Sequence, residues 1–277
     1  MSDLLNVKNL RIAFPSRQGP VEVVRGVSFV MGKERLGIVG ESGSGKSQTG
    51  RAILGLTPPP GTATADRLEF DGIDLRNATK SQWHDIRGER ISMVMQDPKF
   101  SLNPVMTIGR QLTETYRTHR KATKAEARER GVEMLNAVQI RDPERVMNAY
   151  PHELSGGMGQ RAMIAMMLVT EPELLIADEP TSALDVTVQI EVLRILDALV
   201  TDRGMGLIFI SHDLRLVSSF CDRVLVMYAG QVVEEVKATE LTRAKHPYTQ
   251  GLFNCLPKIE GGVRPLPTLE RDAAWAI

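Results

Sequence analysis

Leu36-Gly37-Ile38-Val39-Gly40-Glu41-Ser42-Gly43-Ser44-Gly45-Lys46-Ser47-Gln48 is the stretch whose reading decides the fold class. Its first four residues form a short apolar run that suits a strand buried on both faces. Residues 48–56 carry apolar positions at helical period and stop at Pro58-Pro59-Pro60-Gly61. Between them, residues 40–47 fit the pattern G-x-x-x-x-G-K-[ST] in the strand–loop–helix context that the pattern requires. Glycines let consecutive backbone N–H groups turn inward around phosphate oxygens without a Cβ clash. The helix N-terminus adds its partial positive charge. Gly40, Glu41, Ser42, Gly43, Ser44, Gly45, Lys46, Ser47 and Gln48 are therefore candidate phosphate-binding residues. Lys46 can reach the β- and γ-phosphates of a nucleotide, and the Ser47 hydroxyl can ligate Mg²⁺.

Outward from this loop, the chain alternates strand and helix patterns. Residues 5–12 and 21–30 alternate apolar and polar, as half-buried strands do. Residues 67–75 contain the turn pair Asp71-Gly72 and read as a hairpin. Residues 91–95, 174–177, 207–210 and 224–227 are buried-strand candidates separated by helical stretches. Strands alternating with helices predict a parallel α/β sheet. Residues 107–150 are instead polar, charged and helical in period, and look like a helical insert; the dense charge over 121–130 is a solvated helix face. A short helical tail follows from about residue 240, Pro/Gly-rich after Pro257.

Composition narrows the function classes. Apolar residues are 42% of the 277-residue chain but aromatics only 5%, so the core must be aliphatic. Lys plus Arg is 34 and Asp plus Glu is 34, a formal net charge of zero that argues against nucleic-acid binding through a broad basic surface. The longest apolar run, residues 162–169, has eight residues, against the roughly 20 that a membrane span needs. The N-terminus lacks the basic start and apolar stretch of a signal peptide. Cys221 and Cys255 have no metal-site spacing and read as thiols in a reducing compartment.

Leu174-Leu175-Ile176-Ala177-Asp178-Glu179 is an apolar strand ending in two adjacent carboxylates. In parallel α/β sheets, ligands gather at the carboxyl ends of strands. Alone, this is an ordinary strand end; beside a phosphate loop, Asp178 becomes a candidate Mg²⁺ ligand and Glu179 a candidate base for the attacking water.

Leu154-Ser155-Gly156-Gly157-Met158-Gly159-Gln160-Arg161 resembles the signature loop of ATP-binding-cassette (ABC) ATPases. That family orders its motifs as phosphate loop, glutamine loop, signature, acidic strand, D-loop and switch histidine. Lys46, Gln96, Ser155, Asp178-Glu179, Ser182-Ala183-Leu184-Asp185 and His212 follow the same order here, so the resemblance spans about residues 5–256. It implies an α/β fold with a P-loop NTPase (RecA-like) core, a mainly parallel sheet, an N-terminal antiparallel β subdomain and a helical insert subdomain. The expected boundaries are 1–96 and 159–240 for the ATP-binding core, 97–158 for the helical signature subdomain and 241–277 for a C-terminal extension.

The resemblance also implies roles. Phe14, the only aromatic before Phe29, matches the position that stacks on adenine. Gln96 matches the residue that contacts Mg²⁺ or water and hinges the helical subdomain. Ser155, Gly156, Gly157 and Gln160 match the loop that cradles the ATP of a partner subunit, and Asp185 the D-loop carboxylate at the dimer seam. His212, between Ser211 and Asp213, matches the histidine that contacts the γ-phosphate. Glu179, His212, Gln96 and Lys46 form the expected catalytic set, with Ser47, Gln96 and Asp178 around Mg²⁺. Gly159 departs from the family, which usually has a larger polar or basic residue there.

Within the family, residues 177–189, 227–234 (Met-Tyr-Ala-Gly-Gln-Val-Val-Glu) and 246–252 (His-Pro-Tyr-Thr-Gln-Gly-Leu) resemble the ATPases of dipeptide, oligopeptide and nickel importers. Many oligopeptide relatives carry a cysteine cluster for an iron–sulfur centre in the C-terminal tail; here Cys255 stands alone. The implied protein uses ATP and Mg²⁺ and pairs head-to-tail with a second ATPase subunit, a copy or a paralogue. It docks peripherally on two membrane permease subunits at the cytoplasmic face of the plasma membrane. It serves a substrate-binding protein indirectly and no nucleic acid. The alternative is a soluble, non-transport cassette ATPase of repair or translation; such proteins usually carry two cassettes or a long coiled-coil insert.

Overall fold

A computed structural model describes residues 3–96, 101–182, 184–255 and 275. Three features of the sequence lie outside that set: the segment 97–100 after Gln96, Ala183 of the D-loop, and the Pro/Gly-rich tail other than Trp275. The chain divides into two compact units, Met1–Asn77 with Ile208–Ile277, and Ala78–Leu207.

The first unit opens with β1 (Leu5–Phe14) and β2 (Val21–Met31), an antiparallel pair. In β1 the buried residues are Leu5 and Val7, then Leu10 and Ile12, so the alternation changes phase midway. Such a change needs one extra residue in the strand. Asn9 supplies it with φ 52°, at the register shift between Val7 and Leu10; asparagine tolerates this left-handed conformation better than most residues. β3 (Arg35–Val39) is buried at Leu36, Ile38 and Val39 and runs into α1 (Lys46–Ile53). β4 (Thr62–Thr64), β5 (Arg67–Phe70) and β6 (Ile73–Asp74) complete an antiparallel sheet of order β2-β1-β5-β6, with β4 also on β1. Asp71 and Gly72, both at positive φ, form the two-residue turn between β5 and β6.

The second unit holds the helical block. Its elements are α2 (Lys80–Ile86), β7 (Ile91–Val94), α3 (Ile108–His119), α4 (Lys124–Ala137), α5 (Pro143–Asn148), α6 (Gly156–Leu168), β8 (Leu174–Asp178) and α7 (Val186–Arg203). Short polar side chains start these helices. Thr79 and Thr123 form reciprocal capping boxes with Gln82 and Glu126, and Asp142 caps α5 ahead of Pro143. α6 is buried at Ala162, Met163, Ile164, Ala165 and Leu168, which accounts for the longest apolar run as core. Among the described residues, no helix is long and apolar enough to cross a membrane.

The chain returns to the first unit within β9 (Gly206–Ser211), then continues through α8 (Leu214–Phe220), β10 (Arg223–Tyr228), β11 (Gln231–Lys237) and α9 (Pro247–Asn254). There the strand order is β11-β10-β3-β9, with β10 parallel to β3 and antiparallel to β11. Cys221 ends α8 in this core, and burial pushes its thiol up to about 12, so it stays protonated and unreactive.

Candidate active site

The phosphate loop takes its shape from the first unit. Gly45 caps α1 in the left-handed region at φ 98°, with no side-chain cap, and no acidic residue occupies the first helical turn. A Cβ on Gly45 would lie 2.7 Å from the Val23 carbonyl oxygen, and one on Gly40 would lie 2.1 Å from that of Met227. Both positions therefore exclude side chains. Lys46 is 5% exposed, and its Nζ donates to the carbonyls of Gly40 and Glu41, each at 2.8 Å. This folds the lysine back over the loop. Ser44 is 4% exposed, and its Oγ is buried with no partner among the described residues; Gln48 Oε1 is likewise unpartnered. Orphaned buried polar atoms beside an uncapped helix N-terminus suit a site whose ligand supplies the missing hydrogen bonds.

The second unit builds a separate polar edge. β7 and β8 are parallel, with Ile91 opposite Leu174 and Val94 opposite Ala177. Two residues further along each strand stand Gln96 and Glu179, and Gln96 Nε2 donates to Glu179 Oε2 at 3.0 Å. In-register pairing thus brings together two residues that lie 83 apart in sequence. Asp178 is the last residue of β8 and 4% exposed, whereas Glu179 is half-buried and held at φ 47°. A non-glycine residue at positive φ carries strain that clusters at functional positions. The Glu179 carbonyl accepts from both the N–H and the Oγ of Ser182, at 3.2 Å each. Gln160, 1% exposed, donates to the Pro180 carbonyl, so α6 braces the turn after the carboxylates.

Ser155 caps α6, its Oγ accepting from the Met158 N–H at 3.4 Å, and Asp185 caps α7 by accepting from the Val188 N–H at 3.1 Å. Ser155, Gly156, Gly157, Asp185, Val188 and Arg161 line one cavity of about 560 Å³. The two glycines that flank Met158 have different uses. A Cβ on Gly157 would fall 2.6 Å from Val188 Cγ1, whereas one on Gly159 would meet nothing within 4 Å. Gly157→Ala should therefore lose about 1–3 kcal/mol through overpacking, and Gly159→Ala should gain roughly 0.5–1 kcal/mol of helix propensity. Urea unfolding of the two variants checks this pair, and equal effects would refute the steric assignment.

Phe14 ends β1, half-buried, with its ring over Gly61: a Cβ there would lie 2.5 Å from Phe14 Cε1. His212 directly follows β9 and is exposed. The first unit thus carries Phe14, residues 40–48 and His212, and the second carries Gln96, Ser155, Gly156, Gly157, Gln160, Asp178, Glu179 and Asp185. Ser47 and Asp178 offer hard oxygen donors of the kind Mg²⁺ takes. The sequence reading gave no role to Tyr248 or to the turn at Gly230. Yet the Glu41 N–H donates to the Tyr248 hydroxyl at 3.1 Å, and the Gly230 N–H donates to the Ser44 carbonyl at 3.1 Å. Both residues fall in the stretches that resemble the importer branch.

Residues 24–182 match the ABC transporter family. The chain belongs to that family. A probable peptide ABC transporter ATP-binding protein of Sinorhizobium fredii is 49% identical over 257 residues, which are 92% of this chain and 77% of that protein. The oligopeptide transport ATP-binding protein OppD of Bacillus subtilis is 48% identical over 93% of this chain and 73% of its own. The dipeptide transport ATP-binding protein DppD of Haemophilus influenzae is 45% identical over 96% and 82%. Among solved structures, a dimeric ATP-binding cassette in a post-hydrolysis state with ADP and Pi superposes with a TM-score of 0.76. It is 26% identical, and the match covers 84% of this chain and 98% of that one. The ABC fold expected from the sequence, with antiparallel N-terminal strands, parallel strands and a helical insert, is the fold found.

Proposed function

We propose that this chain is the ATP-hydrolysing motor subunit of an ABC importer of dipeptides or oligopeptides. The observation that carries this reading is 45–49% identity to peptide-transport ATP-binding proteins over more than 90% of the chain. The intact motif set supports turnover rather than binding alone. In the reaction, a water oxygen attacks the γ-phosphorus in line, the bond to the β-phosphate bridging oxygen breaks, and ADP and phosphate leave. Glu179 takes the proton from the attacking water, tethered for that role by Gln96. His212 positions the γ-phosphate. Lys46 and the backbone N–H groups of the loop offset charge on the phosphate oxygens, and Phe14 stacks on the base. Ser47, Asp178 and Gln96 are the residues that would hold Mg²⁺, which would neutralise charge on the bound triphosphate.

The working unit is a head-to-tail pair of ATPase subunits, a homodimer or one with a paralogue, in which Ser155, Gly156, Gly157 and Gln160 serve the partner's ATP and Asp185 lies at the seam. The pair sits peripherally on two permease subunits at the cytoplasmic face of the membrane, supplied by a substrate-binding protein. The permease contact is the loop near Phe100 to Pro104, of which Phe100 lies outside the described residues. Val105 there is 78% exposed, while the Gln111 side chain pins the loop to α3 by donating to the carbonyls of Asn103 and Met106 at 3.0 and 2.9 Å.

The test is ATP hydrolysis and labelled-peptide uptake by the chain assembled with its permease in vesicles. Uptake that proceeds without ATP hydrolysis, or hydrolysis indifferent to peptide and permease, would overturn the motor reading. Ser155→Arg should leave ATP affinity of the single subunit within about twofold, at the cost of roughly 1 kcal/mol for the lost cap. It should abolish ATP-driven dimer closure. In mixed dimers the damage should appear at the site whose Lys46 belongs to the other chain; loss of binding in the single subunit would mean that the loop acts in cis.

A further inference from the structure

Two of the three stretches that resemble the importer branch, residues 227–234 and 246–252, converge on the phosphate loop. From the first, the turn after β10 supplies the Gly230 N–H, which donates to the Ser44 carbonyl at 3.1 Å. From the second, Tyr248 on α9 accepts from the Glu41 N–H at 3.1 Å through its hydroxyl, although the two residues lie 207 apart in sequence. Tyr248 is fully buried. The stretch around it is built to hold this ring still. His246 caps α9, its Nδ1 accepting from the Tyr248 N–H at 3.2 Å, and Pro247 opens the first turn. The Glu234 carboxylate accepts from the N–H groups of Lys245 and His246 at 2.6 and 3.2 Å, joining the second stretch to the first. The Tyr228 ring packs on Tyr248 at 4.5 Å between centroids, and Trp275 packs on both at 5.9 Å.

The Glu41 N–H belongs to the same peptide group as the Gly40 carbonyl. That carbonyl accepts from Lys46 Nζ at 2.8 Å. A trans peptide is planar with its N–H and C=O pointing in opposite directions. Fixing the N–H on Tyr248 therefore aims the carbonyl at Lys46. We infer that Tyr248 is a positioning residue of the nucleotide site: its hydroxyl sets the Gly40–Glu41 peptide plane, and through it the phosphate loop and the lysine. This rests on residues 40–48 being the ATP phosphate site. It makes the C-terminal element a functional part of the nucleotide site rather than an appendage.

The test compares the full chain with Tyr248→Phe, which removes the hydroxyl and keeps the ring, and with Lys46→Ala as a control. ATP and ADP affinities are measured by calorimetry, and amide hydrogen exchange is followed through residues 36–48. Tyr248→Phe should raise both dissociation constants by roughly 3- to 10-fold, the worth of one hydrogen bond. Exchange at Glu41 should speed up while the rest of the chain keeps its protection. Unchanged affinity, or unchanged exchange at Glu41, overturns the inference. So does an affinity loss accompanied by faster exchange throughout, since that marks general loosening. A Glu41 amide that exchanges freely in the unmodified chain overturns it without any variant. If the unmodified chain fails to bind ATP, the nucleotide-site reading falls and takes this inference with it. If that chain binds ATP, Lys46→Ala weakens binding and Tyr248→Phe does not, only the role of Tyr248 falls.

Discussion

Glu179→Gln is expected to lower ATP turnover by roughly 10²- to 10⁴-fold, the usual cost of removing a general base, while ATP affinity stays near that of the unmodified chain. The substitution isolates chemistry from geometry. Glutamine keeps the length of the side chain, and its amide oxygen can still accept from Gln96 Nε2, which lies 3.0 Å from the carboxylate. The positive φ at Glu179 is a property of the backbone turn, and glutamine pays the same strain as glutamate. What the amide cannot do is take a proton from water. Phosphate release by the assembled transporter gives the turnover, and calorimetry on the same preparation gives the affinity. Turnover within tenfold of the unmodified protein would remove Glu179 from the catalytic set.

Lys46→Ala should weaken ATP binding itself, by roughly 10- to 100-fold, as expected when a charge-assisted hydrogen bond to a buried anion is lost. Lys46 is buried, with Nζ over the loop on two carbonyls rather than out in solvent. The substitution also leaves the Gly40 and Glu41 carbonyls without the ammonium that they share. Some stability is then lost, and binding must be measured below the melting range of the variant. A dissociation constant for ATP that does not change would refute the assignment. The contrast between the two variants is diagnostic: one separates turnover from binding and the other weakens binding directly.

Several parts of this molecule were legible in the residues alone. Residues 40–47 had to form a loop between a buried strand and a helix, because the apolar run, the glycines and the helical period each demand it locally. Residues 5–12 were read as one alternating strand, which is the strand found, but the change of phase at Asn9 that puts both pairs of apolar residues on one face emerged only in the structure. The order of the motifs was enough to identify the ABC family, since each motif is short and contiguous.

Other parts depended on contacts that no local pattern records. Strand β11 carries Glu234 and Glu235 within a half-exposed edge, so its alternation is weak, and only pairing with β10 makes it a strand. The pairing of Gln96 with Glu179 follows from the parallel register of β7 and β8. Gly157 and Gly159 look alike in sequence, yet only Gly157 faces another helix, at Val188. Tyr248 was visible as part of a branch-typical stretch, but its hydrogen bond to Glu41 joins residues 207 apart. Sequence by itself determined which segment forms the glycine-rich loop before a helix and which strand ends in carboxylates, because strand, loop and helix preferences act over a few neighbours. The tertiary structure alone decided which distant groups hold those segments in shape, because a hydrogen bond or a close packing contact depends on separation in space and not along the chain.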